Sequence, residues 1–347
     1  MAADEVERLK EWVRELSPRR VLIQAPPGLT GVARDVSRIL EGMGVEVFFS
    51  GGMCWGGCDL ALREALELGC DAIVHVGHAE FVRSHSIPVF YLEHRYQNYG
   101  PVASLLPEIL RALRGYGRVA LGATVQYLDL LERLAEDLRR AGHVVLMGEP
   151  SNHLRHRGQV LGCDYSTMTS LDKDVDAHLV LGSVFHGLGL ALITEKEVFA
   201  ADPHSQKVVA LREMAERVLR KRYAQMLAFK SSRKVGVLVS VKPGQMYLGL
   251  ARWLVGLLRS RGYDAELVVV DEIRPEDLEG RYEALVNTAC PRLSVEDQER
   301  FRVPVLLPNE VLVALNLIGW EELLRRGLLS SYPQSWVMTV LTERPRP

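Results

Sequence analysis

Cysteine is the residue type in this chain whose chemistry most needs an explanation. Five occur, at Cys54, Cys58, Cys70, Cys163 and Cys290. An odd number, thinly spread, makes a poor disulfide framework. A free cysteine is ordinarily a small buried hydrophobe, and Cys70, at a helix-to-strand joint in LELGCDAIVHV, fits that role. The others stand in stretches containing Gly, Pro or Asp, which are less typical of core packing. Zinc sites usually show C-x2-C pairs, and this chain has none. Cys54 and Cys58 form C-x3-C, but Ala61 occupies the position that would complete the one-loop iron–sulfur pattern C-x3-C-x2-C. The local pair alone decides nothing.

The elements that must position these thiols follow a repeating order. Short runs rich in Val, Ile and Leu alternate with helical patterns, the signature of a parallel α/β sheet. The first unit predicts strands over residues 21–26, 45–50 and 71–78, with a turn at Gly28 and a helix over 31–40. The second predicts strands over 118–124, at HVVLM and over 177–183. The third predicts strands over 234–240, at AELVVVD and over 283–289. Each unit runs strand, helix ended by Gly, strand: EGMGVEV, RRAGHVV and SRGYDAEL. Glycine at such a joint is the expected left-handed helix stop. A helix over 211–227 should bridge the second and third units. The expected fold is α/β, with three similar Rossmann-like βαβ domains and parallel sheets. Their expected limits are 1–115, 116–231 and 232–330, with a C-terminal tail over 331–347 that contains Trp336.

Cys58, Cys163 and Cys290 fall one to each unit, each after a strand or at its carboxyl end. Ligands of open α/β sheets gather at the carboxyl ends of strands. Three modules around a centre would therefore bring these cysteines together. Three thiolates suit an iron–sulfur cluster that keeps one iron open to substrate, whereas four suit electron transfer.

The strings WGGCDLALREALELGCDAIVHVGHAEF, VLGCDYS, LGSVFHGLGLAL, AADPHSQKV, KPGQ and VNTACPRLSVED occur in this order. With them the chain resembles the archaeal 2-(3-amino-3-carboxypropyl)histidine synthases of the first step of diphthamide biosynthesis, over roughly residues 21–310. The resemblance implies a four-iron–four-sulfur (4Fe-4S) cluster held at the centre by one cysteine from each domain. By matching motif these are Cys58 in WGGCD, Cys163 in LGCD and Cys290 in NTACP; Cys54 falls four residues before the family position. The chain has Trp55, Gly56, Gly57 where the family usually has Tyr-Gly-Ala, and Pro26, Pro27, Gly28, Leu29 where it often has Pro-Glu-Gly-Leu. The implied chemistry is radical. The reduced cluster gives one electron to the sulfonium of S-adenosylmethionine (SAM). The 3-amino-3-carboxypropyl radical adds to an imidazole carbon of a histidine on translation elongation factor 2, and methylthioadenosine leaves. A homodimer and a cellular electron donor are implied with it.

Other residues have two readings each. His75 and His78, in VHVGH, are either hydrogen-bonded strand-end histidines or line the cofactor. Gly182 and Gly187 would let backbone approach a ligand, and the resemblance puts a SAM pocket at Gly182, Phe185 and His186. Asp202 either bonds a ribose or amino group, or belongs to an Asp-Pro turn. Gln245 follows the opening strand of the third unit, where a helix N-terminus meets a carboxylate. Arg292, two residues from Cys290, either pairs with the SAM carboxylate or is a solvated loop residue. Gly28 sits in a phosphate-like turn, but G-x-G-x-x-G is absent and a dinucleotide site is not expected.

Composition bounds the rest. The chain has 347 residues, 48% hydrophobic and 25% charged, with a formal net charge of -2. That charge excludes a general nucleic-acid binder, and no apolar run reaches the ~18 residues of a membrane span. The amphipathic start, MAADEVERLKEWVREL, has no signal-peptide core, so a cytoplasmic protein is expected. Two rivals differ in class. A quinolinate-synthase-like enzyme would use the open iron as a Lewis acid and leave SAM uncleaved. A non-enzymatic α/β binding protein would be colourless after anaerobic purification.

Overall fold

Val- and Ile-rich runs pair side by side in three separate sheets. The structure is a computed structural model, and it describes residues 3–84, 86–151 and 153–325; the expected tail over 331–347, with Trp336, lies outside them. The first sheet is built from β1 (Arg20–Gln24), β2 (Glu46–Phe49), β3 (Ala72–Val76) and β4 (Val89–Leu92). The second contains β5 (Arg118–Ala123), β6 (Val144–Leu146), β7 (Ala177–Leu181), β8 (Glu197–Asp202) and β9 (Lys207–Ala210). The third contains β10 (Lys234–Ser240), β11 (Asp264–Val270), β12 (Ala284–Asn287) and β13 (Val305–Leu306).

The orders are β2-β1-β3-β4, β6-β5-β7-β8-β9 and β11-β10-β12-β13. In every sheet the strand that opens the unit lies second, with the next two on either side. The strand order therefore reverses at the same place three times, beside β1, β5 and β10, and a crevice opens there at the carboxyl ends. Central strands such as β3 and β7 are buried at every residue, which is why they read as unbroken apolar runs. The predicted helix stops are present: Gly44, Gly142 and Gly262 have φ of +83°, +96° and +86°. An added Cβ would meet nothing within 4 Å at any of them, so backbone conformation alone asks for glycine there.

Two features depart from the expected all-parallel pattern or extend it. β9 pairs antiparallel with β8. The turn between them is made by Asp202, whose carboxylate accepts from the His204 amide at 2.9 Å and the Ser205 hydroxyl at 2.8 Å. The helix Gly100–Ala112 buries Val102, Leu105 and Ile109 in the core of the second sheet.

The helix Arg212–Phe229 packs on two sides. Its Ala215, Met226 and Phe229 share one core with Leu188 and Leu192 on one side and with Val235, Val237 and Val239 of β10 on the other. Arg222 is 1% exposed. It donates to Glu310 at 2.7 Å, to the Ser294 carbonyl at 2.6 Å and to the Val305 carbonyl at 2.8 Å. A buried charge that fully partnered locks the helix to the third sheet, because losing either member of the pair strands the other.

Candidate functional site

The carboxyl ends of the three sheets face one another, and the loops leaving them touch. Cys58 lies on the loop after β2. Its carbonyl accepts from the Gly244 amide, on the loop after β10, at 2.8 Å. The Gln245 side-chain amide donates to Cys58 Sγ at 3.3 Å. A Cβ on Gly244 would stand 2.5 Å from Cys58 Cα, so only glycine allows this approach. Beside it, Lys242 binds Asp59 at 2.7 Å and Glu272 at 2.8 Å, and the Trp55 indole N–H reaches Glu272 at 3.3 Å. The first and third sheets are thus clamped at Cys58.

Cys290 caps the helix Pro291–Glu296, and its carbonyl accepts from the Asn287 amide at 2.7 Å. Burial raises its thiol pKa, against the amides of Arg292 and Leu293, which lower it. The Cys58 thiol is pushed up to about 12, chiefly by burial and next by the nearby Cys290. The Cys290 sulfur of the third sheet therefore lies close enough to act on Cys58 of the first. Neither is an easy thiolate on its own, which is the condition a soft metal centre reverses by taking the proton's place.

Arg292 joins the third sheet to the second. It is 5% exposed, donates to the Phe185 carbonyl at 2.6 Å, lies 4.2 Å from the centre of the Phe185 ring and pairs with Glu296. A Cβ on Gly162, the residue before Cys163, would stand 3.7 Å from Arg292 Cγ. Arg292 Nε and Nη1 are buried with no partner, and so is the Tyr165 hydroxyl. A Cβ on Gly189 would clash with both Tyr165 Oη and Arg292 Nη1, so these orphan groups share one place. The charge on Cys163 and that on Cys290 both reach Tyr165, whose own pKa is raised first by burial. Buried donors left unpaired beside two thiols are what an anionic ligand group would satisfy.

The first and second sheets meet through Gln126, which donates to the Gly77 carbonyl at 2.7 Å, and through Phe81 stacked on His153 at 4.3 Å. His186, at the start of the helix Val184–Ala191, bonds Ser183 at 3.1 Å. Burial, then Arg292, then His78 bring its pKa down to about 4, while Asp202 opposes them. The charges of Arg292, His78 and Asp202 thus all act on His186. Gly182, with φ of +154°, lies beside His186: a Cβ there would stand 3.2 Å from Thr124 and 3.9 Å from His186. Gly187 has a different purpose, since its Cβ would strike Leu211 at 2.6 Å, making it a packing glycine. His78 is held near 4 by burial and bonds His75 at 2.9 Å, as a hydrogen-bonded pair at the strand end. Of the residues singled out from the sequence, Cys58, His78, Cys163, Gly182, Gln245 and Cys290 lie on loops or turns that follow strands. Phe185, His186 and Arg292 open the helices after such loops, His75 and Asp202 stand at the ends of β3 and β8, and Cys70 lies apart at the amino end of β3. Lys242, Asp59 and Tyr165 went unread, although all three stand inside the strings that carry the resemblance.

A family model of diphthamide synthesis proteins matches residues 25–324. Over 314 residues the chain is 36% identical to the 2-(3-amino-3-carboxypropyl)histidine synthase of Pyrococcus horikoshii, covering 90% of each. It is 26% identical over 324 residues to the protein of the same name from Methanocaldococcus jannaschii, covering 88% of each. Among solved structures it is similar to Dph2 from Pyrococcus horikoshii with a 4Fe-4S cluster, with a TM-score of 0.82, 36% identity and 91% of both chains covered.

Proposed function

Since the chain is an enzyme of the diphthamide synthesis family, we propose that it transfers the 3-amino-3-carboxypropyl group of SAM to a histidine imidazole carbon of translation elongation factor 2. In this reading Cys58, Cys163 and Cys290 hold a 4Fe-4S cluster, and the limits 1–115, 116–231 and 232–330 are those of the three domains that supply them. What supports it most is the meeting of three cysteine-bearing strand ends around buried donors with no partner. The donor set fits the group: thiols in a water-poor place, one of them already accepting a hydrogen bond from Gln245. When bound, a cluster with one iron free of protein supplies one electron to the sulfonium, so that the bond to the aminocarboxypropyl carbon breaks.

The chain's own residues choose which bond that is. Arg292 Nε and Nη1 hold the SAM carboxylate, and the Phe185 ring and carbonyl fix the guanidinium in place. His186, neutral down to about pH 4, offers a ring nitrogen without bringing a second positive charge beside the sulfonium. Gly182 leaves room for the ligand, and Asp202, already holding its turn with its carboxylate, marks the far wall with His78. Gln245 donates to Cys58 Sγ, and hydrogen bonds to ligand sulfurs are among the levers that set a cluster's potential. A homodimer, a cellular electron donor and a cytoplasmic location go with this reading. No helix among the described residues is long and apolar enough to cross a membrane.

The test is anaerobic reconstitution, with iron and sulfide counted, followed by dithionite, SAM and elongation factor 2. Four irons per chain, release of methylthioadenosine and a modified histidine are expected. Iron bound but SAM left intact would overturn the transfer reading in favour of Lewis-acid chemistry, and a colourless protein would overturn both.

A further inference from the structure

Cys54, His75 and His78 each bring one ligand atom to within 4.8 Å of the other two, and the cluster assignment uses neither Cys54 nor His75. The geometry of their neighbours fixes how they can bind. Gln24 donates through Nε2 to the Asp59 carbonyl at 2.7 Å, so its Oε1 faces the other way and accepts from the Ala61 amide at 3.0 Å. The same Oε1 lies 3.0 Å from His75 Nδ1. An amide oxygen cannot donate, so His75 carries its proton on Nδ1 and presents the Nε2 lone pair. That lone pair points at His78 Nδ1, 2.9 Å away, and at Cys54 Sγ, 4.0 Å away. An imidazole whose second nitrogen is fixed on an amide or carboxyl oxygen is the usual form of a metal-bound histidine.

We propose that Cys54, His75 and His78 form a second metal site, for a borderline divalent ion of the zinc class. One sulfur and two imidazoles are a donor set that zinc takes in tetrahedral sites, with bonds of about 2.3 Å to sulfur and about 2.0–2.1 Å to nitrogen. Those lengths place the donors about 3.3–3.7 Å apart. The His75–His78 pair must open by a few tenths of an ångström, and Cys54 must close on His75 by about as much. On binding, Cys54 Sγ loses its proton to solvent and the His78 proton moves from Nδ1 to Nε2; His75 is unchanged. The ion ties the loop that carries Cys58 to the end of β3. Gly57 already lies against that strand end, where a Cβ would meet the Ala79 carbonyl at 2.8 Å. The site is thus a clasp on the first domain's thiol loop, and it shares His78 with the wall of the proposed SAM space.

The test uses zinc chloride alone on two forms of the full chain: the cluster-loaded protein, and a variant with Cys58, Cys163 and Cys290 all replaced by Ala. Each should hold about one zinc per chain, and zinc-edge X-ray absorption should find one sulfur in its shell. Cys54→Ser and His75→Ala should weaken zinc binding at least tenfold while the iron count of the loaded protein stays unchanged. Gln24→Leu, which removes no ligand, should weaken it ten- to a hundredfold. Failure of both forms to hold zinc at micromolar concentration, or Cys54→Ser binding as tightly as its parent, would overturn the proposal. Iron and zinc are counted separately, so either result leaves the cluster reading to its own test.

Discussion

At the scale of the residue, five cysteines of one chemical type should separate cleanly by place. If Cys58, Cys163 and Cys290 hold the cluster as proposed, replacing any one by Ala leaves it two protein thiolates, and iron should be lost or become labile in each variant. Cys70 packs with Leu22, Ala65, Ile73 and Ile87 under the first sheet. Cys70→Ala should cost roughly 1 kcal/mol and leave the iron count unchanged. Iron and sulfide in each anaerobically reconstituted variant decide this, and loss in Cys70→Ala with retention in Cys163→Ala would reverse the assignment. Histidine offers a second test. His186 is held near 4 in the folded chain against 6.5 when free. On acidification the unfolded chain takes up this proton first, so the contribution to stability declines as pH falls from about 6.5 to about 4 and is flat above that window. The melting temperature of the cluster-free protein should therefore drop less steeply between pH 6.5 and 4.5 in His186→Gln than in the parent, and equal slopes would contradict it. Three of the cysteines were legible only by falling one to each unit and by the motifs around them, and Arg292 only by lying two residues from Cys290. Tyr165 was not, because a lone tyrosine reads as core until its hydroxyl is found buried without a partner.

At the scale of the element, the order strand, helix, glycine, strand was legible in all three units because burial on both faces and left-handed helix stops leave marks in the local sequence. What a segment packs against leaves no such mark. The amphipathic stripe of Gly100–Ala112 says only that one face is covered, and the antiparallel return of β9 depends on how Asp202 folds its turn. The same limit hid the most demanding glycine. Gly244 is one of many glycines in loops, but its Cα lies against the backbone of Cys58, and Gly249 five residues later has nothing within 4 Å of where a Cβ would be. Gly244→Ala must push the Cys58 loop away and should release iron to a chelator much faster than the parent does. Gly249→Ala lies within the helix Leu248–Ser260 and should instead stabilise the chain by about 0.5–1 kcal/mol. Paired melting curves and chelator kinetics check both, and unchanged iron release in Gly244→Ala would show that the loop absorbs the methyl.

At the scale of the molecule, a site shared by three sheets exists only while the sheets stay docked, so the contacts between them carry function even where they touch no ligand. The first and third are held at Lys242, whose ammonium sits between Asp59 and Glu272 with a side chain 10% exposed against 7% for Asp59. Asp59 and Lys242 are 183 residues apart, so no local pattern could join them, and one cysteine per unit was legible where the clamp between units was not. Burial raises the Asp59 pKa, and hydrogen bonding and charge from Lys242 oppose it. Lys242→Met keeps the stem but leaves Asp59 buried beside Cys58 without its cation. Breaking a buried pair in this way costs about 3–5 kcal/mol, and here the cost falls on the joint. Iron release under anaerobic chelation should quicken at least tenfold in Lys242→Met, while Cys70→Ala, a defect inside one unit, should leave it near the parent rate. Adding Asp59→Asn removes the stranded charge, so the double variant should recover most of the lost retention. If the double variant releases iron as fast as Lys242→Met alone, the ammonium acts on the cluster itself; if Lys242→Met releases it at the parent rate, the joint is held by Gly244 and Gln245 without the charges.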